Sequence, residues 1–304
     1  MGILKGQNLR IYTYDTTAAK YKVIGMSTNC TTTLTNNTEE ASHKDIVSLA
    51  SMPTTTSKSW TVSVDSLNAV DAGAMLTAIK SMQPMLIMWD ETSTVDNQTR
   101  EKATFARKGY AFLNDLTLTF DNRTNSAKSL QFSGTGALET VGSSEAADVI
   151  PIGSYTKGQF VRLFLSSDNT AAPSKPISSA LQLNMHVSLT LEDATTKDTT
   201  GDWVVQEATG LSYDITSNAL VRSGETITSQ VTGADMAAIE AIYTDGTPVK
   251  WKIANVSGDN NRTASSTIVS GSALVTQLQA NGPNRSNAAY TTTLNGYGDY
   301  TVAA

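Results

Sequence analysis

Lys157-Gly158-Gln159-Phe160-Val161-Arg162-Leu163-Phe164 restates Lys5-Gly6-Gln7-Asn8-Leu9-Arg10-Ile11-Tyr12, displaced by 152 positions. Working outward from that pair, further matches follow in the same order. Glu39-Glu40-Ala41-Ser42-His43-Lys44-Asp45 returns as Glu192-Asp193-Ala194-Thr195-Thr196-Lys197-Asp198. Trp60-Thr61-Val62-Ser63-Val64-Asp65-Ser66-Leu67 returns as Tyr213-Asp214-Ile215-Thr216-Ser217-Asn218-Ala219-Leu220, and both of these blocks are displaced by 153. Asn122-Arg123-Thr124-Asn125 returns as Asn284-Arg285-Ser286-Asn287, and Gly134-x-Gly136 as Gly296-x-Gly298, displaced by 162. Ordered matches with one large step are what a duplication followed by a nine-residue insertion (162 − 153) leaves behind, with the step between Leu220 and Gly271. The chain therefore reads as two homologous domains, residues 1–142 and 154–304, with a small-residue, weakly charged linker at 143–153.

A chain of 304 residues gives each copy enough length for its own core. Charged residues are sparse at 16%, and Thr, Ser, Asn and Gly take their place, a composition that suits strands with one polar face and many turns. No apolar run approaches the roughly 20 residues that span a bilayer, and the polar stretch Met1 to Asp15 has no hydrophobic signal core. The expectation is a protein made and kept in a cytoplasm, with no membrane partner. Cys30 is the sole cysteine, so neither an internal disulfide nor a thiolate cluster is available. Lys and Arg balance Asp and Glu at 13 to 13 over residues 1–142 but stand at 9 to 15 over 143–304. With no basic run, the chain is not built to hold nucleic-acid phosphates.

Both copies open on a Gly turn and an alternating strand, with Leu9 and Ile11 on one face and Arg10 and Tyr12 on the other. The longest alternation places Leu181, Leu183, Met185, Val187, Leu189 and Leu191 against Gln182, Asn184, His186, Ser188 and Thr190. Its counterpart, Thr28 to Thr38, keeps Cys30 and Leu34 but has lost much of the apolar face; its polar side is Asn29, Thr31, Thr33, Thr35 and Asn37. Polar stretches follow at Glu39–Ser59 and Glu192–Leu211, long for hairpin connections. Each copy then carries one amphipathic helix, expected at Asp71–Met82 and Asp235–Tyr243 and stopped by Pro84 and Pro248. Buried strands follow at Met85–Trp89 and Val249–Ile253, then a closing hairpin turned by Asn122–Asn125 or Asn284–Asn287. The fold expected is mainly β: two tandem homologous domains, sandwich- or barrel-like, each with one α-helix.

No constellation for catalysis is present, and no catalytic residue, metal or cofactor is expected. His43 and His186 fall at non-equivalent places, opposite Thr196 and Thr33, and read as ordinary polar residues. Asp193, Asp198 and Asp202 lack the order of a calcium loop. The Gly-x-Gly elements follow strands without opening a helix, so close strand contacts explain them better than phosphate binding. The recurrent charged loop is the best site candidate, since a loop kept while its strands diverge suits contact with a partner. Its residues are Glu39, Glu40, Lys44 and Asp45 in the first copy and Glu192, Asp193, Lys197 and Asp198 in the second, with Trp203 as an aromatic contact nearby.

The ordered set resembles the major tail tube protein of tailed bacteriophages. The resemblance rests on Lys5–Tyr12, the Thr-rich strand running into the Lys-Asp loop (Thr31–Asp45), Trp60–Asp65 with its helix, and the strand closing in Gly134-x-Gly136, and it covers nearly the whole chain once per copy. It implies a structural virion protein, assembled in the bacterial host cytoplasm and located in the tail. Six such domains close a ring, and rings stack into a tube with an inner sheet around the lumen and the long loop reaching the next ring. Two domains per chain then imply a trimeric ring with pseudo-sixfold symmetry. The implied partners are further copies of the chain, the terminator, tape measure and baseplate proteins, and DNA in transit without specific binding. The polar rows Asn29, Thr31, Thr33, Thr35 and Gln182, Asn184, His186, Ser188, Thr190 become the candidates to face the lumen. A tail terminator, a baseplate ring and the inner tube of a contractile machine share the fold. An Ig-like adhesin or glycan-binding module shares the composition, but calls for an export signal and exposed aromatic platforms.

Overall fold

The computed structural model describes residues 6–45, 50–67, 72–93, 95–96, 99–101, 105–142, 145–149, 156–166, 168, 170–199, 201–221, 233–256 and 263–303. The fold is mainly β. The first half contains β1 (Leu9–Asp15), β2 (Lys20–Val23), β3 (Ser27–Glu40), β4 (Pro53–Ser66), α1 (Ala72–Lys80), β5 (Met85–Thr92), β6 (Arg100–Glu101), β7 (Arg107–Asp121), β8 (Ala127–Thr140) and β9 (Ala147–Asp148). The second half contains β10 (Val161–Leu165), β11 (Lys175–Pro176), β12 (Ala180–Asp193), β13 (Gln206–Leu220), α2 (Met236–Asp245), β14 (Val249–Val256), β15 (Ala264–Asn281), β16 (Ala289–Gly296) and β17 (Thr301–Val302).

Neighbouring strands run in the same order in both halves. The first half reads β3–β4–β8–β7–β5–β1–β2. The second reads β12–β13–β16–β15–β14–β10–β11. The sheet bends over its own core at β7 and again at β15. Residues Arg107–Ala111 of β7 pair with β5, while Ala264–Ala273 of β15 pair with β14. Beyond the bend the strands run on in a second layer. Both bent strands carry the same irregularity, between Leu113 and Asp115 and between Val275 and Gln277; an extra residue there kinks a strand and sharpens its twist.

The bend closes on aromatic pairs. Trp60 packs on Trp89 at 5.8 Å and Tyr213 on Trp251 at 5.7 Å, both at 57°. Such tilted contacts contribute about 0.5–1.5 kcal/mol beyond area burial. The ring on the long strand also accounts for the recurrent Gly-x-Gly. A Cβ on Gly134 would stand 2.1 Å from Trp60, and one on Gly296 2.5 Å from Tyr213, while Gly136 and Gly298 hold φ of +76° and +71°. The first glycine lets a flat ring lie on the backbone, and the second takes a conformation that side chains disfavour.

The helices begin and end close to where the sequence puts them, although Asp71 lies outside the described residues. Asp235 caps α2 by accepting from the Ala238 amide at 2.9 Å, and Gly246 ends it at φ 66°. Met82 takes the matching left-handed position after α1, at φ 52°. The inserted residues fall mainly before α2: positions 67–71 join β4 to α1, whereas 221–235 join β13 to α2. Among the described residues no helix is long and apolar enough to cross a membrane.

One expectation needs correction. The first strand of each half was expected to have one apolar face, yet β1 buries both Ile11 and Tyr12. Ile11 joins the main core, while Tyr12 joins a second small cluster with Tyr21, Met88, Ala106 and Val141. Phe164 of β10 does the same with Ala254 and Val256. The layer beyond the bend is thus covered on both sides. The described part of 143–153 is fastened to the first half. β9 pairs in parallel with β2, Lys108 meets Glu145 at 2.7 Å, and Arg100 donates to the carbonyls of Glu145 and Gly142 at 2.7 and 3.0 Å. Arg100 is itself anchored on the fully buried Asp90 at 2.7 Å. Ser143 and Gly153, the ends of that stretch, lie outside the described residues.

Candidate functional site

The halves meet edge to edge. The outer half of β7, Asp115–Asp121, pairs antiparallel with Gln182–Ser188 of β12. This seam joins two four-stranded arrays into one eight-stranded layer, β3–β4–β8–β7–β12–β13–β16–β15. Strand alternation then divides its side chains cleanly. On the inner side, Trp60, Val62, Val64, Leu116, Leu118, Leu130, Phe132, Leu183, Met185, Val187, Ile215 and Leu294 are buried. The outer side presents Thr, Ser, Asn, Gln and Asp.

Both candidate rows lie on that outer face. Thr33 stands opposite Thr61 and Thr31 opposite Ser63; Asn184 stands opposite Thr216, and Ser188 opposite Ser212 with the hydroxyls 2.8 Å apart. Asn29 and Thr35 extend the first row, and Gln182 and Thr190 extend the second. The segments forming the face are 29–35, 61–65, 115–121, 129–133, 182–190, 212–218, 277–281 and 291–295, and none of them contains Lys or Arg. Asp65, Asp115, Asp121 and Asp214 supply its acidic groups. The field over the face is therefore neutral to negative.

His186 is more than an ordinary polar residue. Its Nε2 lies 2.8 Å from Asp115 Oδ2 and its Nδ1 3.0 Å from Asp214 Oδ1, so the ring links β7, β12 and β13 across the seam. Burial of the ring opposes its protonation. The hydrogen bonds to Asp115 and then to Asp214 outweigh that, and the imidazole pKa is raised. Asp115 escapes sequence reading because its approach depends on the seam between halves, and Asp214 because its place opposite His186 depends on the β12–β13 register within the second half. The visible signal was His186 on a polar strand face.

The recurrent charged loop divides into a mouth and a tip. In the first half, Glu40 accepts from the amides of Ser42 and Met52 at 3.0 and 2.9 Å and also from the Ser42 hydroxyl; Ser42 Oγ accepts from the Met52 amide at 3.3 Å. In the second, Asp193 accepts from the Thr195 amide at 2.8 Å, and Thr195 Oγ1 from the Val205 amide at 3.0 Å. The amides of Ala41 and Ala194 each donate across the mouth, to Met52 and Val205, at 2.9 Å. The hydroxyl of Ser42 holds the Glu40 carboxyl below its ordinary pKa, and that of Thr195 does the same for Asp193. Acid and hydroxyl thus recur because they close the loop, a local reason the motif alone did not reveal. Glu39 and Glu192 are the last residue but one of their strands. Lys44, Asp45, Lys197 and Asp198 stand exposed at the tips.

Trp203 is engaged by its own chain. It forms an isolated bridge with Lys58; the Lys58 amide donates to Asp202 O at 2.6 Å, and the Val204 amide to Lys58 O at 2.9 Å. Lys58 Nζ meets Asp202 at 3.1 Å, and Gly136 donates to Val204 O at 2.9 Å. The second half's long loop is therefore folded onto β4 and β8 of the first. Trp60, Trp89 and Trp251 are core residues at 2%, 3% and 0% exposure. Among the described residues, no group of three or more His, Cys, Asp or Glu is placed to hold a metal ion.

No protein-family model and no curated protein matches the sequence. Solved structures similar to parts of it include the following. The tail of an empty gene transfer agent (GTA) particle, with C6 symmetry, matches at TM-score 0.37 and 16% identity over 49% of this chain and 99% of that one. The virion of a native gene transfer agent particle matches at 0.34 and 15%, over 49% and 99%. The SPP1 tail tube matches at 0.31 and 14%, over 46% and 75%.

Proposed function

We propose that this chain is a non-enzymatic structural protein of a virion tail, polymerising into rings that stack as the tail tube and enclose a passage for DNA. The observation that carries the reading is the eight-stranded layer itself. It joins two arrays of the same strand order edge to edge and, among the described residues, leaves one unpaired strand edge at each end, on β3 and on the outer half of β15. Open edges of that length are templates for another chain, and head-to-tail addition that closes gives a ring. Three chains would place six arrays around it. The outer polar face would line the passage, where a surface without Lys or Arg gives phosphates no partners with which to release counterions. The exposed tips at Lys44, Asp45, Lys197 and Asp198 would reach the next ring, and terminator, tape measure and baseplate proteins would meet the tube ends. Assembly would take place in the bacterial host cytoplasm.

Negative-stain electron microscopy of the concentrated protein at neutral pH tests this reading. Hollow tubes or stacked rings with threefold or pseudo-sixfold views are expected; dispersed monomers at high concentration would overturn it. The passage is tested separately by placing lysines at Asn184 and Ser188. Tubes should still form while DNA delivery slows, and unchanged delivery kinetics would remove these residues from the lumen.

A further inference from the structure

We infer that a second copy of this chain closes onto the first through a repeat of the internal seam, pairing β15 of one chain with β3 of the next in a defined register. The inference rests on the tube reading and adds the identity and alignment of the contact. Within each half, Thr32 faces Val62 as Met185 faces Ile215, and Leu116 faces Leu130 as Leu278 faces Thr292. These registers map Asn29–Thr35 onto Gln182–Ser188, and Asp115–Thr119 onto Gln277–Asn281. The internal seam pairs Ser188 with Asp115, Val187 with Leu116, His186 with Thr117 and Asn184 with Thr119. Carried over, the seam between chains pairs Thr35 with Gln277, Leu34 with Leu278, Thr33 with Gln279 and Thr31 with Asn281.

Two features of the surface fit this occupant. Leu34 is 62% exposed on an edge strand of polar residues, whereas its counterpart Val187 is 0% exposed opposite Leu116. The register brings Leu278, the apolar residue of the β15 edge, onto it. A groove lined by Leu211, Tyr213, Gly296, Gly298 and Asp299 also lies open in the second half. The matching place in the first half, at Lys58 and Gly136, is filled by Asp202–Val204 of the long loop. By the same mapping, which sets Val205 on Met52, the groove receives the next chain's Ala50 and Ser51, the counterparts of Trp203 and Val204, beside Tyr297, which is 59% exposed. Thus a strand and a loop from the same neighbour dock together.

The seam can be tested covalently. Asn122 donates to Leu181 O at 2.9 Å, which marks that pair as hydrogen-bonded. Pairs alternate along an antiparallel ladder, so Thr117 and His186, five steps on, are a close non-bonded pair with Cα atoms about 4.5 Å apart. Thr33 and Gln279 inherit that geometry, which a disulfide accepts. Within one chain they lie seven strands apart, on the order of 30 Å, so any bond between them joins two chains. The experiment oxidises Thr33→Cys/Gln279→Cys in a Cys30→Ser background under assembly conditions, with Thr35→Cys/Asn281→Cys as an out-of-register control.

A non-reducing gel should show a ladder of linked chains, at least about tenfold stronger than the control at equal oxidation. Tubes whose chains stay unlinked, or a control that links equally well, would overturn the register and leave the tube reading intact. A ladder without tubes would support the seam and overturn the tube; neither ladder nor tubes would overturn both. Leu34→Asp supplies an independent arm: folded protein by circular dichroism that no longer assembles is expected, and undiminished assembly would refute the contact.

Discussion

β3 and β12 occupy the same place in strand order and have opposite fates. β12 lies between β7 and β13, with Leu183, Met185 and Val187 at 3%, 0% and 0% exposure. Among the described residues β3 has β4 on one side only, and most of its residues are exposed. The difference explains why one strand keeps a full apolar face while the other has drifted to Thr and Asn. A strand enclosed by its own chain must match a fixed core. An edge that stays wet until a neighbour arrives must remain soluble before assembly, and polar residues on an edge limit indiscriminate pairing.

The same charge at equivalent positions should have very different costs. Val187→Asp buries a carboxylate with no partner in the closed seam and should cost on the order of 4 kcal/mol, enough to unfold much of the population. Leu34→Asp should stay within about 0.5 kcal/mol in urea denaturation of dilute protein, because the site is already in water. Equal losses would mean that β3 is enclosed in the unassembled chain.

A smaller effect tests the feature the halves share. Gly134→Ala drives a methyl into the Trp60 ring and Gly296→Ala into the Tyr213 ring. Each should cost about 1–3 kcal/mol by overpacking, with Gly134→Ala the worse because its contact is shorter. Thermal unfolding of the two variants would show it, and no loss at either site would dissociate the glycines from their rings.

How far the fold could be read from sequence follows the same division between local and long-range causes. Alternation places β12 and the inner parts of β4 and β13, although those two strands begin at Pro53 and Gln206, inside stretches that read as connections; Pro84 and Pro248 follow the helices, and the Asn-Arg turns are where expected, with Arg123 and Arg285 at φ 69° and 64°. These depend on neighbouring residues. The double burial of Ile11 and Tyr12, the fastening of Glu145 to Lys108 and the docking of Trp203 on Lys58 depend on partners dozens of positions away. Nothing in the local pattern encodes them. Recurrence marks the charged motif in the sequence and suits contact with a partner. Ser42 and Thr195 closing their own loops supply the nearer reason, leaving the exposed tip residues as the part still free to meet another molecule.

The finest contrast between the seams is electrostatic. Where the internal seam sets His186 between Asp115 and Asp214, the mapped positions at the edges are Thr33, Gln279's neighbour Gln277, and Thr61. A histidine whose folded pKa is raised stabilises fully below its unfolded value near 6.5, and that contribution fades as pH rises through the folded value. Deprotonation leaves one ring N–H to serve two carboxylates. Replacing His186 with Thr, its first-half counterpart, should therefore cost more at pH 5.5 than at pH 8.5. Because the ring is 37% exposed, solvent screening keeps the difference below about 1 kcal/mol. Urea denaturation of dilute wild-type and variant protein at the two pH values measures it, and His43, present in both, cancels. A gap that widens toward high pH would mean the imidazole is held neutral, and that the two aspartates do not govern its charge.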